Sequence, residues 1–475
     1  MKKQVIIVGA GASGLAAAIA AGKGGARVTV LEHTDAIGKK LLSTGNGKCN
    51  FCNTDLNKTH YHSFSDPKGV FLERAFQKFG CSDTLKLFRS IGIVPRTRTF
   101  AYDDGGYVYP ASGEAKSVLT ALREEAAFYN TSFLMGCQIR SVAYWKDREG
   151  RPAFQLDTTK GQFQADALIL AGGSCAMPKT GSDGSSIELP GAFGHTIWEF
   201  LPSLCALHCV GSFFRDLKGV RCTARLLLEI TAPNKKTEAV RKEEQRASGA
   251  DHFGFLTDDM LRTRYESYGE VQFTEYGVSG IPAFQLSRYV ATAVKLRRER
   301  YLTIDFLPDL TEKALFTELS DRASRFADRT AALFLNGLLP EKLGRLILKK
   351  AGIREERGIY TLTEEELLSL VRLIHSFRIS VLDTNGFDSC QCCAGGVDTR
   401  EINSETMESE LMPELFFAGE LIDVDGDCGG YNLQWAWTSG TLSGRAAAEI
   451  RRYRSYPERF PTGAEEGEDK KDSPS

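Results

Sequence analysis

The stretch Val5-Ile6-Ile7-Val8-Gly9-Ala10-Gly11-Ala12-Ser13-Gly14 restricts the fold of this chain more than any other. An apolar run enters Gly9-x-Gly11-x-x-Gly14, an Ala-rich segment follows, and a second apolar run, Val28 to Leu31, ends in the acid Glu32. Strand, glycine turn, helix and strand in that order are the pattern of a dinucleotide site. Gly9 permits the tight turn, Gly11 lets the backbone approach a pyrophosphate, and Gly14 lets helix and strand pack closely. The free N–H groups and positive dipole end of such a helix hold a diphosphate without a cationic side chain. Glu32 lies 18 residues beyond Gly14, where a carboxylate accepts a hydrogen bond from a ribose hydroxyl. Lys2-Lys3 ahead of an apolar run also suits a secretory leader. Three spaced glycines and Gly24-Gly25 break such a helix, however, and the second strand would then have no purpose. The expectation is an α/β fold with a Rossmann-like nucleotide-binding domain.

The bulk properties narrow the rest. A chain of 475 residues exceeds one core and predicts roughly two or three domains. The formal net charge of -2 and the lack of a basic block argue against nucleic acid as the main partner. No apolar stretch reaches the ~18–20 residues a membrane span needs. The 12 cysteines are scattered and do not form the framework of a small secreted domain. Cys49-x-x-Cys52 raises the question of a redox dithiol, but buried reduced thiols in a cytoplasmic protein are the expectation. The second cluster, Cys390, Cys392 and Cys393, has the wrong spacing for tetrahedral zinc, so no metal is expected.

Along the chain, the loop from Gly38 to Asn50 carries Gly38, Gly45 and Gly47 among small polar residues, which suits close approach of backbone to a ligand. Helices are predicted within 67–95 and over Ala115 to Phe128, strands from Ser132 to Ala143, and a hairpin turning at Lys160-Gly161. Ala167-Leu168-Ile169-Leu170-Ala171-Gly172 reads as a buried parallel strand whose small tip meets a ligand. From 195 to 310 the pattern turns β-rich, with Lys235 to Arg246 as a solvated loop. Residues 311–377 read as a small helical subdomain in which His375 has no evident partner. Residues 1–194 and 378–461 form the nucleotide-binding domain, and the acidic tail, 462–475, is predicted to be disordered. Near the end, Leu415-Phe416-Phe417-Ala418-Gly419-Glu420 is a strand ending in glycine and acid. Asp423-Val424-Asp425-Gly426-Asp427 then leads to Gly429-Gly430 and a helix running to about Arg452. A helix start aimed at a flavin ring stabilises negative charge there. The three acids lack the spacing of a calcium loop.

Taken together, these pieces resemble the BaiN-type flavoproteins, FAD-dependent oxidoreductases whose named activity is 3-dehydro-bile-acid delta-4,6-reductase. The match runs through Gly9 to Gly14 with Glu32, Gly38-Lys39-Lys40 to Asn50, Gly106 to Ser112, Ala171 to Gly184, Phe273 to Pro282, Ala394 to Val397 and, most specifically, Phe417 to Gly440. The resemblance implies a glutathione-reductase-like FAD domain with a β-barrel-like insertion and a helical subdomain. It also implies FAD contacts at Gly9, Gly11, Ala12, Ser13, Gly14, Glu32, Lys40, Gly47, Cys49, Asn50, Ala171, Gly172, Gly419, Asp423, Asn432, Leu433 and Gln434. Where the family has Gly-Gly-Gly-Arg-Cys-Asn, this chain has Gly45-Asn46-Gly47-Lys48-Cys49-Asn50. Lysine keeps the charge and loses the planar fork.

The expected function is hydride transfer between FAD and a small hydrophobic substrate, enone or steroid-like, with NAD(P)H docking transiently as donor. The barrel would form the wall over the ring. Tyr431, Asp423 and Asp425 are the candidates for proton handling. The alternative is a flavin-dependent amine oxidase with oxygen as acceptor, which peroxide release would reveal. A flavin or RNA-modification accessory role ranks last for want of a basic patch. Oligomeric state has no sequence signal.

Overall fold

The structure is a computed structural model that describes residues 2–100, 103–146, 151–231 and 253–450. The acidic tail and the charged stretch Lys235 to Arg246 lie outside the described residues.

A five-stranded, all-parallel sheet is built on the first strand of the chain. Its order is Leu415–Phe417, Ala167–Leu170, Gln4–Val8, Arg27–Leu31, Ser132–Leu134. Ile7 pairs with Ile169 on one side and Val30 on the other, and all three are fully buried. Both faces are covered, which is why these strands read as continuous apolar runs. Burying each such side chain contributes ~1.5–3 kcal/mol.

The first helix, Ala12–Lys23, buries every residue from Ser13 to Gly22. A helix buried all round cannot be amphipathic, hence its run of alanines. The last helix, Tyr431–Ala448, lies directly against it. A Cβ at Gly440 or Gly444 would stand 2.3 Å from the carbonyl oxygen of Ser13 or Ala17 respectively. The sequence of small residues is therefore a condition for bringing these two helices together.

The second body is a closed barrel, ordered Leu207–Cys209, Gly277–Ser279, Arg264–Phe273, Arg221–Ile230, Arg300–Asp305, Phe377–Thr384. The closing strand, Phe377–Thr384, pairs with Arg300–Asp305 and returns to Leu207–Cys209. The boundary expected at 378 thus falls inside a barrel strand. Helix Ile281–Lys295 shares the barrel's core through Ala283, Leu286 and Val290. Helices Glu312–Arg325, Glu341–Lys350 and Glu364–His375 pack into the same core through Leu315, Leu343 and Leu370. His375, expected without a partner, has its Nδ1 2.9 Å from Asp305 Oδ1. Its role is to tie the last of these helices to a barrel strand.

The glycine-rich loop also differs from expectation. Residues Lys39–Gly47 form a short helix broken at Thr44-Gly45-Asn46, where Gly45 and Asn46 adopt φ of 56° and 54°. Glycine and asparagine are the residues that enter this left-handed region at least cost.

Candidate functional site

A cleft of about 840 Å³ opens at the carboxyl ends of the parallel strands, where Val8, Leu31, Ala171 and Gly419 line it. That volume lies within the range of small-molecule sites. Two helices aim their N-termini into it. Ala12 and Ser13 open the first helix, and Asn432 and Leu433 stand in the first turn of the last. Neither helix has a side-chain cap or an acid in its first turn. Leading N–H groups of a helix have no intrahelical partner, and anionic groups of a ligand are favoured by both dipoles.

The three fingerprint glycines have separable tasks. A Cβ at Gly9 would stand 2.5 Å from the Ala171 oxygen, and one at Gly14 would stand 2.0 Å from the Gly9 oxygen. Gly14 does not itself line the cleft; it sets the packing beneath it. A Cβ at Gly11 would meet nothing within 4 Å, because it would project into the cleft. That position is held clear for a ligand, as a pyrophosphate site requires.

Glu32 lines the cleft and is pinned from both sides. Ala10 N–H donates to Oε2 at 2.8 Å and Thr34 N–H to Oε1 at 2.9 Å. A carboxylate has lone pairs beyond these two, so Glu32 is oriented and can still accept from a ribose. Lys40 also lines the cleft and donates to Glu420 Oε2 at 2.8 Å, which Ser174 Oγ joins at 2.7 Å. Burial works against the ammonium, but the Glu420 carboxylate outweighs it and holds Lys40 above its ordinary value. Asn50 Oδ1 is buried and has no hydrogen-bond partner, and Asn50 lines the cleft. A buried acceptor without a donor costs ~1–3 kcal/mol, which a ligand N–H or O–H would recover. Ala171, Gly172 and Gly419 complete the floor. Two uncapped helix starts, a cleared glycine, an oriented acid and an orphaned amide oxygen together fit FAD.

The remaining expected contacts sit behind the wall. Gly47 and Cys49, with φ of 80° and 57°, shape the loop that carries Asn50 without lining the cleft. Gln434 is buried; its Nε2 donates to Thr438 Oγ1 at 3.0 Å. Asp423 is fully buried, and its Oδ2 accepts from Ser63 Oγ, Ser65 N–H and Ser65 Oγ at 3.0, 2.8 and 2.7 Å. Burial pushes its carboxyl up to about 6, the serine hydrogen bonds notwithstanding. Asp423 pins a loop and does not line the cleft.

The other proton-handling candidates are also placed outside it. Asp425 accepts a two-pronged bond from Arg288, Nε to Oδ2 at 3.0 Å and Nη2 to Oδ1 at 3.1 Å, and Ser203 Oγ donates to it at 3.1 Å. Tyr431 is 3% exposed, and its ring stacks on His60 with centroids 4.6 Å apart. Of the three acids at 423, 425 and 427, the one that lines the cleft is Asp427, with His60 Nδ1 at 3.1 Å and His62 Nε2 at 3.0 Å. Sequence spacing lists the three acids as equals. Arg288, 137 positions away, is what separates them. Glu420 and the segment Gln138–Arg140 also line the cleft. Glu420 stands in the sequence as the acid after a strand, whereas Gln138–Arg140 bears no motif and is placed by Cys137 N–H donating to Glu32 O at 2.8 Å and by pairing with Thr158 and Thr159.

Among the described residues, no group of three or more His, Cys, Asp or Glu side chains is placed to hold a metal ion. Among them, too, no helix is long and apolar enough to cross a membrane.

Comparison with known proteins agrees with this geometry. The family model for the HI0933-like protein Rossmann domain matches residues 3–446. A 3-dehydro-bile acid delta(4,6)-reductase of Clostridium scindens is 36% identical over 94% of this chain and 99% of its own length. A ribosomal RNA dihydrouridine synthase of Haemophilus influenzae is 28% identical over 91% of this chain and 96% of its own. Among solved structures, a 3-ketosteroid-delta4-(5alpha)-dehydrogenase from Rhodococcus jostii RHA1 aligns at 15% identity and a TM-score of 0.45, covering 94% of this chain and 97% of that one. The chain belongs to the HI0933-like family of Rossmann-domain proteins and is an enzyme, an FAD-dependent oxidoreductase.

Proposed function

We propose that this enzyme reduces a conjugated carbon–carbon double bond in a small, hydrophobic, steroid-like substrate, with NAD(P)H as the electron donor. The observation that carries the reading is the apolar wall that the barrel side adds to the dinucleotide cleft. Leu204, Ile281 and Phe284 face the same cavity as the first turn of the last helix. That wall gives a polar cofactor site an apolar neighbour suited to a flat hydrocarbon skeleton. The extended likeness to a bile acid reductase supports the same substrate class. Bound FAD would supply the hydride.

The chain's own residues would supply the proton. Asp427 faces the cleft, His60 and His62 hold it, and His60 Nε2 reaches the exposed Asp55 at 3.1 Å. This forms a hydrogen-bonded path from solvent to the cavity. Its Asp427 hydrogen bond raises His60 above the ordinary value, burial opposing. Burial works to raise Asp427, but the hydrogen bonds from His60 and His62 prevail and hold it below the ordinary carboxylate range. Both shifts favour an imidazolium beside a carboxylate. His60's contribution to stability is fully present below ~6.5 and is lost as pH rises through its raised folded value; that of Asp427 is present above ~3.9 and is lost as pH falls through its lowered one. Turnover limited by this proton should fall as pH rises through the raised His60 value, and His60→Gln should abolish that fall. Asp427→Asn should lower kcat by ~10²-fold with little change in melting temperature. An unchanged kcat in Asp427→Asn rules out the path.

The direct test is anaerobic mixing with NADH and NADPH, then reoxidation of the flavin by a panel of acceptors. Bleaching by a nicotinamide and reoxidation by a 3-oxo-4,6-diene steroid support the reading. A flavin that neither nucleotide bleaches removes the donor. Reoxidation by a ribosomal RNA fragment and not by steroids would instead assign the activity named for the Haemophilus influenzae relative. Peroxide formed with a small amine would assign the oxidase reaction.

A further inference from the structure

The cysteines offer a site that the reductase reading does not use. Cys52 begins a two-residue strand, Cys52–Asn53, two positions after the cleft-lining Asn50. Its Sγ lies 2.9 Å from Cys81 Sγ and 3.0 Å from Gln434 Oε1. Cys81 is the first residue of helix Cys81–Ser90 and is half-buried, whereas Cys52 is fully buried. A thiol at a helix N-terminus is favoured as thiolate by the dipole and the leading N–H groups. Asp83 in the same turn is engaged in accepting from Gly80 N–H at 3.2 Å.

We propose that Cys52 and Cys81 are a reversible dithiol–disulfide pair, with Cys81 the attacking thiol, oxidised by a low-molecular-weight disulfide. The Cys81 thiolate attacks one sulfur of the small disulfide, forming a mixed disulfide and expelling one small thiolate. The Cys52 thiol, giving up its proton, then attacks Cys81 Sγ and expels the second. The protein loses two protons and two electrons, and the small disulfide takes them up to become two thiols. The sulfurs need approach by only ~0.9 Å to reach an S–S bond length. The Cys52 hydrogen bond holds the Cys81 thiol below its ordinary value and drives Cys52 the other way. Burial instead pushes Cys49, the expected partner of Cys52 in the C-x-x-C, up to about 12.

The site is coupled to the cleft. Gln434 stands in the first turn of the last helix, its Nε2 donates to Thr438 Oγ1, and Thr438 Oγ1 donates to Phe79 O at 2.9 Å, two residues before Cys81. Oxidation removes the one Cys52 S–H, which faces both Cys81 Sγ and Gln434 Oε1, and ties the Asn50 loop to the helix that Cys81 opens.

The FAD-loaded protein, freed of reductant, is incubated with excess oxidised glutathione, quenched with an alkylating agent under denaturing conditions and mapped by mass. The expected product has lost two hydrogens, carries a peptide joining residues 52 and 81, and reverts with dithiothreitol. Cys52→Ala should instead accumulate one glutathione on Cys81. Cys81→Ser should leave Cys52 fully alkylated. Wild-type protein in which both cysteines remain fully alkylated, or in which either joins a different cysteine, overturns the proposal even if Cys52→Ala fails to fold. None of these readouts depends on which substrate the enzyme reduces.

Discussion

Gly11→Val should yield a folded, soluble and colourless protein. The Gly11 backbone, φ -79° and ψ -167°, is extended, a region that valine enters freely. Its added Cβ meets no protein atom within 4 Å. The apoprotein should therefore melt within ~1 kcal/mol of wild type. The branched side chain would occupy the space where the diphosphate must approach the first helix. FAD affinity should fall at least ~100-fold, equal to ~2.7 kcal/mol. Gly14→Val is the contrasting case. Its Cβ would stand 2.0 Å from the Gly9 oxygen, inside a turn that cannot give way without losing the strand. Insoluble or unfolded protein is expected from it. Flavin absorbance of the purified variants, FAD titration and thermal melts distinguish the two outcomes. A yellow Gly11→Val protein with wild-type affinity would place the diphosphate elsewhere.

Asp425→Ala should destabilise the protein by ~3–5 kcal/mol, the cost of leaving one member of a buried ion pair without its partner. Arg288 and Asp425 are both buried and bonded at two points, and Arg288 lies over the Phe64 ring at 5.1 Å. Removing the carboxylate leaves the largely buried Arg288 guanidinium without its charge partner. Burial works to lower the arginine, but Asp425 dominates and raises it, so it stays charged at any ordinary pH. The double variant Arg288→Met with Asp425→Leu removes both charges and should recover most of the loss. Denaturant unfolding of the two single variants and the double variant measures this directly. Single-variant losses that simply add in the double variant would mean the pair is not coupled. Its position in the chain makes Asp425 a candidate for proton handling, and the structure gives it Arg288 and Ser203 as partners. The pair instead fastens the barrel helix, Ile281–Lys295, to the stretch leading into the last helix.

The cofactor end of this molecule was readable from residue order alone. A strand, turn, helix and acid are consecutive in the chain, so the Gly9–Glu32 unit is a local object whose geometry follows from backbone sterics and the alternation of apolar runs. The same holds for the strand at Ala167–Leu170 and for the glycines that open the last helix. The helix at Lys39–Gly47 reads as a loop in the sequence because its break at Gly45-Asn46 disguises it.

The division of labour among the acids could not be read that way. Asp423, Asp425 and Asp427 share one short stretch, and nothing local says which meets serines, which meets Arg288 and which meets the cleft. Nor does Cys49-x-x-Cys52 announce that the sulfur beside Cys52 belongs to Cys81. Those assignments depend on partners tens to hundreds of positions away, brought in by packing of the barrel helix and of helix Cys81–Ser90. Backbone pattern is a short-range property and is written in the chain. Burial and charge pairing are properties of distance in space, and only the folded arrangement of the two cores sets them.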